Sequence, residues 1–264
     1  MFEIEVKIMA VVESYNMGVT PIRTWLVGEN IRPSMLQFAT GFFYQHTVQQ
    51  MKREAYLITN RHVAIDEERS LYPNVFKILI HNSIDMLRSV REVEIPLYDE
   101  NMNPLWYEHP HIKDADIVAL NIDEYIRAGD VIQYWSKDDF PSQGQIIAFG
   151  SRVSIIGYPL AFYDDVHNFP IARSGTIASP YGVAFKNQPY FLVDATLHEG
   201  TSGSPVIIPR SGVRPKVKTV FHTLLGIHSG GWKVDDIELG LGIVWYPDLI
   251  QEIVSDKKYG SIRV

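Results

Sequence analysis

His198-Glu199-Gly200-Thr201-Ser202-Gly203-Ser204-Pro205 is the stretch on which the reading of this chain turns. It sets a serine between small residues and ends on a proline that starts the next element. A serine hydroxyl is a poor nucleophile alone. It needs a neighbouring base, and backbone N–H groups nearby to hold the oxyanion it creates. Glycine at 200 lets the backbone turn its amide inward with no Cβ in the way, and Gly203 leaves room for substrate and base to approach. By itself Gly-Thr-Ser-Gly is an ordinary polar turn. It becomes a nucleophile motif only if a histidine and an acid stand elsewhere in suitable contexts.

Both occur upstream. His62 lies in Tyr56-Leu57-Ile58-Thr59-Asn60-Arg61-His62-Val63-Ala64, where a strand ends and a new segment begins. From there a side chain can face a cleft. Asp116 leads the apolar strand Asp116-Ile117-Val118-Ala119-Leu120, well placed to fix an imidazole tautomer and to stabilise the imidazolium during turnover. Asp114 competes for this role but lies outside the apolar run, on the side expected to face solvent. Singly, each residue has a bland reading: a capping aspartate, a satisfied surface histidine.

Composition narrows the classes. The 264 residues are 46% hydrophobic and 21% charged, which is core enough for one large domain or two small ones. The absence of cysteine excludes disulfides, zinc–thiolate sites and cysteine nucleophiles. A net charge of −7 leaves no broad basic field for nucleic acid, and no apolar run reaches the about 18 residues of a membrane span. Residues 1–8 alternate charged and apolar side chains, whereas a signal peptide is basic and then continuously apolar. A retained strand and a cytoplasmic protein are the expectations.

Short apolar runs separated by Gly, Pro, Asn and Asp recur, and helical periodicity is scarce. Residues 39–46 and 55–60 read as a hairpin around a polar turn at 47–54. Residues 76–81 and 90–97 alternate as strands do, 98–115 read as loop, and 116–122 as a strand. The pattern loosens between 123 and 147. The expected division is therefore a first lobe at 1–125, a connector at 126–147 and a second lobe at 148–264. Strands are expected there at 151–157, 172–177, 190–195, 204–208, 223–229 and 241–245, with a bend at Gly240-Leu241-Gly242. The basic run at 209–218 reads as a solvated hairpin tip, and 247–254 as a proline-started helix. An all-β chain with one terminal helix fits a pair of barrels.

Taken in order, Leu57-Ile58-Thr59-Asn60-Arg61-His62-Val63-Ala64, Asp116-Ile117-Val118-Ala119-Leu120 and Gly200-Thr201-Ser202-Gly203-Ser204-Pro205 resemble the trypsin-like, chymotrypsin-fold serine peptidases. The style is that of the cysteine-free bacterial and HtrA-like members. Ala39-Thr40-Gly41-Phe42, Ile155-Ile156-Gly157-Tyr158-Pro159 and Ser174-Gly175-Thr176-Ile177 add to the likeness, which spans roughly residues 35–255. The resemblance implies two six-stranded antiparallel β-barrels with a C-terminal helix. It implies Ser202 as nucleophile, His62 as general base and Asp116 as its orienting acid. It also implies an oxyanion hole from the N–H groups of Gly200 and Ser202, a substrate-pairing strand at Ser229-Gly230-Gly231, protein or peptide substrates, and no cofactor. Activity is then expected to rise through roughly pH 6–7 as the base loses its proton.

Two departures bear on control. Thr201 stands where zymogen-activated relatives carry an aspartate that receives a freshly cut N-terminus, so activation by that route is not expected. Residues 1–34 fall mostly outside the likeness; they add a strand or occlude the cleft. A regulatory domain of PDZ type after the second lobe is not expected. Narrow specificity, an activating partner protein, or both are the expected controls.

Specificity is expected to involve His228, in Gly226-Ile227-His228-Ser229-Gly230-Gly231, just before the substrate-pairing strand. Glutamyl endopeptidases and picornaviral 3C-type proteases carry a histidine at this place. An imidazole can donate to an amide oxygen, or to a carboxylate that favours its charged form. Thr196 and Leu197, at the expected pocket floor, are not acidic, which argues against Lys or Arg at P1 and for Glu or Gln. His228 as a packed strand histidine is the competing reading. Other chemistries fit less well. Ser204 replaces the second glycine of a nucleophile elbow, His109-Pro110-His111 in a loop is a weak metal pattern, and no phosphate-binding glycine fingerprint exists. The alternative of a different class is a protease-shaped binding or scaffold module whose activity is latent or lost.

Overall fold

Runs of β-branched and aromatic residues too short to bury a face alone must pair, and here they do so in two lobes. The computed structural model describes residues 14–28, 31–48, 51–209, 222–235 and 237–262. The strand expected at 1–8 and nearly all of the basic run at 209–218 lie outside the described residues.

The first lobe is a seven-stranded antiparallel sheet. Its strands are β1 (Val19–Gly28), β2 (Ile31–Thr47), β3 (Arg53–Thr59), β4 (Val75–His81), β5 (Val90–Pro96), β6 (Trp106–Glu108) and β7 (Val118–Asn121), in the order β5-β4-β1-β2-β3-β7-β6. One helical turn, α1 (Arg61–Ala64), follows β3. The second lobe is a closed barrel of β8 (Arg152–Gly157), β9 (Ile171–Ile177), β10 (Tyr190–Asp194), β11 (Pro205–Pro209), β12 (His222–Val234) and β13 (Ile237–Trp245), ordered β10-β13-β12-β11-β8-β9. Helix α2 (Asp248–Asp256) ends the fold and buries Leu249, Ile250, Ile253 and Val254.

Burial follows the pleat. In β4, Phe76, Ile78 and Ile80 turn inward, and in β5 so do Val93 and Ile95, with Glu92 and Glu94 outward. Each lobe has its own apolar core: Ile22, Leu57, Phe76 and Leu120 in the sheet, Val153, Phe191, Leu225 and Val244 in the barrel. A third cluster joins them. Tyr44, Tyr56 and Ile117 of the first lobe pack with Tyr158, Ile227, Trp245 and the apolar face of α2. The helix thus clamps the seam between the lobes.

The two-lobed β architecture with one C-terminal helix stands as expected, and two details differ. The stretch 98–115, read as loop, contains β6, whose Trp106 is fully buried against Tyr98 and whose backbone pairs with β7. Three residues are too few to register as a period, and the flanking Asn and Pro residues masked them. The first lobe is therefore a seven-stranded sheet, with β5 and β6 at its two ends, where a six-stranded barrel was expected; only the second lobe closes as a barrel. Within the poorly explained N-terminal stretch, residues 19–28 form β1, a strand inside the sheet that pairs with both β2 and β4.

Candidate active site

His62 sits on α1, immediately after β3 stops. Asn60 is extended (φ −81°, ψ 154°) and its side chain makes no helix cap. Its Nδ2 instead donates to the Asp116 backbone carbonyl at 2.7 Å, which ties the start of α1 to the residues entering β7. Asp116 then gives both carboxylate oxygens to His62. Oδ2 accepts from the ring Nδ1–H at 2.6 Å, and Oδ1 accepts from the backbone N–H at 2.9 Å. With the proton held on Nδ1, the neutral ring keeps its lone pair on Nε2. Burial pushes the His62 pKa down, but the Asp116 charge and hydrogen bond outweigh it and hold the group above its ordinary value. Burial pushes Asp116 up, while the His62 charge and its two hydrogen bonds hold it below the usual carboxylate range.

The serine turn is built from backbone. Glycines at 200 and 203 have φ of +90° and +87°, a region that L side chains avoid. A Cβ at Gly200 would stand 2.3 Å from the Tyr158 carbonyl, and one at Gly203 would stand 2.0 Å from the Thr40 carbonyl. The turn is closed by Thr201, which is buried and whose hydroxyl donates to the His198 carbonyl at 2.6 Å. Leu160 N–H donates to the Glu199 carbonyl at 2.7 Å. Among the described residues no peptide bond is cis, and a trans peptide sends its C=O and N–H opposite ways, so the Gly200 N–H points away from Leu160. Neither that N–H nor the one of Ser202 donates to backbone among the described residues.

Thr40 fastens this turn to the first lobe. Its N–H donates to the Ser202 carbonyl at 2.9 Å and its hydroxyl to the Gly200 carbonyl at 2.7 Å. The same hydroxyl accepts from Tyr158 N–H at 3.1 Å, and the Thr40 carbonyl accepts from the Thr59 hydroxyl at 2.8 Å. Thr59 ends β3, three residues before His62, so the serine turn and the histidine share one anchor. Among the described residues no hydrogen bond reaches the Ser202 hydroxyl; such bonds commonly tighten only when substrate is present.

His228 follows from the barrel side. Its carbonyl accepts from Gly203 N–H at 2.9 Å and its N–H donates to the Ser204 carbonyl at 2.9 Å. The ring is buried, and Nδ1 donates to the Ile243 carbonyl at 3.2 Å. Burial, with His62 adding to it, pushes its pKa down to about 4, so near neutral pH the ring is uncharged and Nε2 is an acceptor. Leu197 and His228 meet over Gly242, where an added Cβ would lie 2.9 Å from Leu197 Cδ1 and 3.3 Å from His228 Cε1. Thr196 is exposed. Beyond Ile227, β12 pairs with β13 but no longer with β11 among the described residues, leaving Ser229, Gly230 and Gly231 with an open edge.

The trypsin-like peptidase domain matches residues 39–213, about two thirds of the chain. The chain belongs to that family. Among solved structures it is similar to a serine endoprotease from Yersinia pestis, with 15% identity and a TM-score of 0.53, covering 91% of this chain and 62% of that one. A protein from M. tuberculosis H37Rv, in an inactive serine-to-alanine form, aligns at 14% identity and a TM-score of 0.46, covering 91% and 86%. The chain thus spans under two thirds of the length of the Yersinia structure. No curated protein sequence matches.

Against the family frame, the remaining candidates resolve readily. The His109-Pro110-His111 pattern holds no metal geometry. His109 is buried, its Nδ1 accepts from His111 N–H and Ile112 N–H, and its Nε2 donates to Glu252 of α2 at 2.9 Å. No group of three metal-ligating side chains occurs among the described residues. Asp114 is exposed. Sequence reasoning missed Asn60 and the connecting role of Thr40, since neither carries reactive chemistry.

Proposed function

We propose that this trypsin-like peptidase is a serine endopeptidase in which Ser202 is the nucleophile, His62 the general base and Asp116 the orienting acid. The observation that carries this reading is the doubly bonded His62–Asp116 pair, which leaves the imidazole lone pair on Nε2. In the proposed cycle Ser202 Oγ attacks the scissile carbonyl carbon and its proton passes to His62 Nε2. The carbonyl oxygen becomes an oxyanion, held by the N–H groups of Gly200 and Ser202. Collapse breaks the C–N bond, the amine leaves with the proton from His62, and an acyl-enzyme remains on Ser202. Water repeats the sequence and releases the acid. The imidazolium formed at each step is stabilised by Asp116. The substrate strand lies on the open edge of Ser229, Gly230 and Gly231.

At P1 the proposed preference is Gln, with Glu second. The His228 ring, held with its proton on Nδ1, offers Nε2 as an acceptor to an amide N–H, whereas a P1 carboxylate must first bring a proton to a ring whose pKa is depressed to about 4. Thr201 supports a turn set by local bonds, with control left to narrow specificity or an activating partner.

The test is fluorophosphonate labelling together with a P1-varied peptide library. Ser202→Ala should abolish labelling and lower turnover by roughly 10^4-fold or more, since triad members act as a unit, while Ser204→Ala is far milder. His228→Ala should flatten the P1 profile. Labelling that survives Ser202→Ala removes the nucleophile assignment. A wild type that never labels favours a protease-shaped binding module.

A further inference from the structure

His62 is carried on a single helical turn, and one turn does not support itself. Helix α1 spans only Arg61–Ala64 and its N-cap makes no side-chain bond, while nucleating a helix is costly for so few hydrogen bonds. Its support comes from outside. The side chain of Arg61, the residue before His62, is 8% exposed, and three separate parts of the chain take its donors. Nη1 and Nη2 donate to the two Glu67 carboxylate oxygens at 2.7 Å each. Nε donates to Glu108 Oε1 of β6 at 2.9 Å, and Nη2 donates again to the Ser261 carbonyl at 2.8 Å.

Ser261 belongs to a segment that runs along β6 after α2 ends. β6 is the last strand of the sheet and pairs on one side with β7. On its other edge Glu108 N–H donates to the Lys258 carbonyl and Gly260 N–H to the Trp106 carbonyl, both at 2.9 Å. Between them Tyr107 and Tyr259 form an antiparallel bridge, with their rings 4.9 Å apart. Gly260 is pressed onto the Trp106 indole, since an added Cβ would stand 2.1 Å from its Nε1. Glu108 Oε1 accepts from Arg61, from Trp106 Nε1 at 3.0 Å and from Ser261 N–H at 3.4 Å. Both backbone groups of Ser261 are thus bonded to the network that holds Arg61. We propose that residues 258–261 form a latch on the β6 edge that positions His62 through Arg61, so that lifting the latch lowers activity.

A guanidinium is a planar fork with its N–H donors in fixed directions, so its plane is set only when partners on more than one side are in place. Glu67 follows α1 by three residues and turns with it. Glu108 and Ser261 are the outside references. Without Ser261, one Nη2 proton loses its acceptor and Glu108 loses a donor, at a place where both side chains are buried. Unpaired groups there are costly, so Arg61 turns toward water and draws the start of α1 with it. The His62 N–H then leaves Asp116 Oδ1, and the ring loses its fixed aim. The Ser229–Gly231 edge lies on the barrel and is untouched, so the loss falls on the chemical step.

The inference rests on His62 being the base, so one measurement is independent of turnover: the NMR resonance of the proton between His62 Nδ1 and Asp116. It is recorded beside kcat and KM for the full chain, for a chain ending at Lys257, and for that shorter chain with the peptide Lys258–Val264 added. Shortening should lower kcat by roughly ten- to a hundredfold, the cost of a misplaced catalytic group, leave KM nearly unchanged, and shift or broaden the resonance. The peptide should restore both, and the same peptide carrying Gly260→Val should restore neither. Equal rescue by the two peptides, or a fall in kcat with the resonance unmoved, overturns the latch. In an Arg61→Lys background, which keeps the charge but not the fork, shortening should cost little more; an undiminished loss there overturns the route through Arg61. A resonance that shifts while kcat holds supports the latch and overturns His62 as base. If the shorter chain fails to fold, Gly260→Val is made in the full chain, where an undisturbed resonance and kcat overturn the proposal.

Discussion

The two lobes hold their share of the site by opposite means. The open sheet fixes side chains: His62 and Asp116 stand at the ends of β3 and before β7, locked to each other through both carboxylate oxygens. The closed barrel fixes backbone: its turn at 198–203 has its shape from two positive-φ glycines, the Thr201 hydroxyl and the Leu160 amide. Side-chain chemistry tolerates a breathing sheet so long as the pair moves together. An array of backbone N–H groups has no rotamer to adjust and so needs a stiffer frame. Beside the turn, Leu160 and Ala161 both hold positive φ (51° and 54°), a costly state for residues with a Cβ.

The largest effect that would break this contrast is expected at Gly200. A methyl group there meets the Tyr158 carbonyl at 2.3 Å, so the peptide must shift and its N–H lose its aim. Gly200→Ala should lower kcat by roughly 10^2- to 10^3-fold, the cost of one oxyanion donor, with circular dichroism unchanged. Gly182→Ala is the control, since its φ of +82° is also positive but nothing lies within 4 Å of the added Cβ. It should cost about 1 kcal/mol of stability and no activity. Equal losses of activity in both would mean that backbone strain alone, and not the aim of the Gly200 amide, sets the rate.

Thr40 is where the two kinds of fixing meet, and the effect there should be smaller. Thr40→Val keeps the shape of the side chain and leaves the Gly200 carbonyl and Tyr158 N–H without their shared hydroxyl. The expected cost is about 1–3 kcal/mol of stability and roughly tenfold in kcat. Thr40→Ser, which restores the hydroxyl, should recover most of both. A full loss in Thr40→Ser would assign the effect to the methyl group and its packing instead.

That division also explains what could be read from the residues alone. The pairing of His62 with Asp116 was legible because reactive side chains are rare and their local phrases are distinctive. The strand at 76–81 was legible because its burial repeats every two residues, and those at 152–157 and 190–194 because they are short apolar runs between turn residues. Thr40 and Asn60 were not. Each works through a hydrogen bond to a residue far along the chain, separated by 160 and 56 positions respectively, and nothing in composition or period records such a partner. Trp106 escaped for another reason, since a strand of three residues has no period to detect.

The smallest expected effect compares the two histidines of the cleft, which are shifted in opposite senses. Burial acts to lower both. At His62 the adjacent Asp116 reverses the outcome, so the pKa lies above 6.5; at His228 no carboxylate is bonded to the ring and the pKa falls to about 4. The base works only when neutral, so activity is lost as pH falls through the His62 pKa and gained as it rises. The acid limb of kcat/KM should therefore have its midpoint above 6.5, at or past the upper part of the range a free imidazole would give. Because His228 is already neutral there, the limb should report one proton. Asp116→Asn removes the lifting charge and leaves burial in command, so the midpoint of its residual activity should drop below 6.5. A limb with two-proton slope would mean that His228 titrates alongside His62. A midpoint unmoved by Asp116→Asn would mean that the limb belongs to another group.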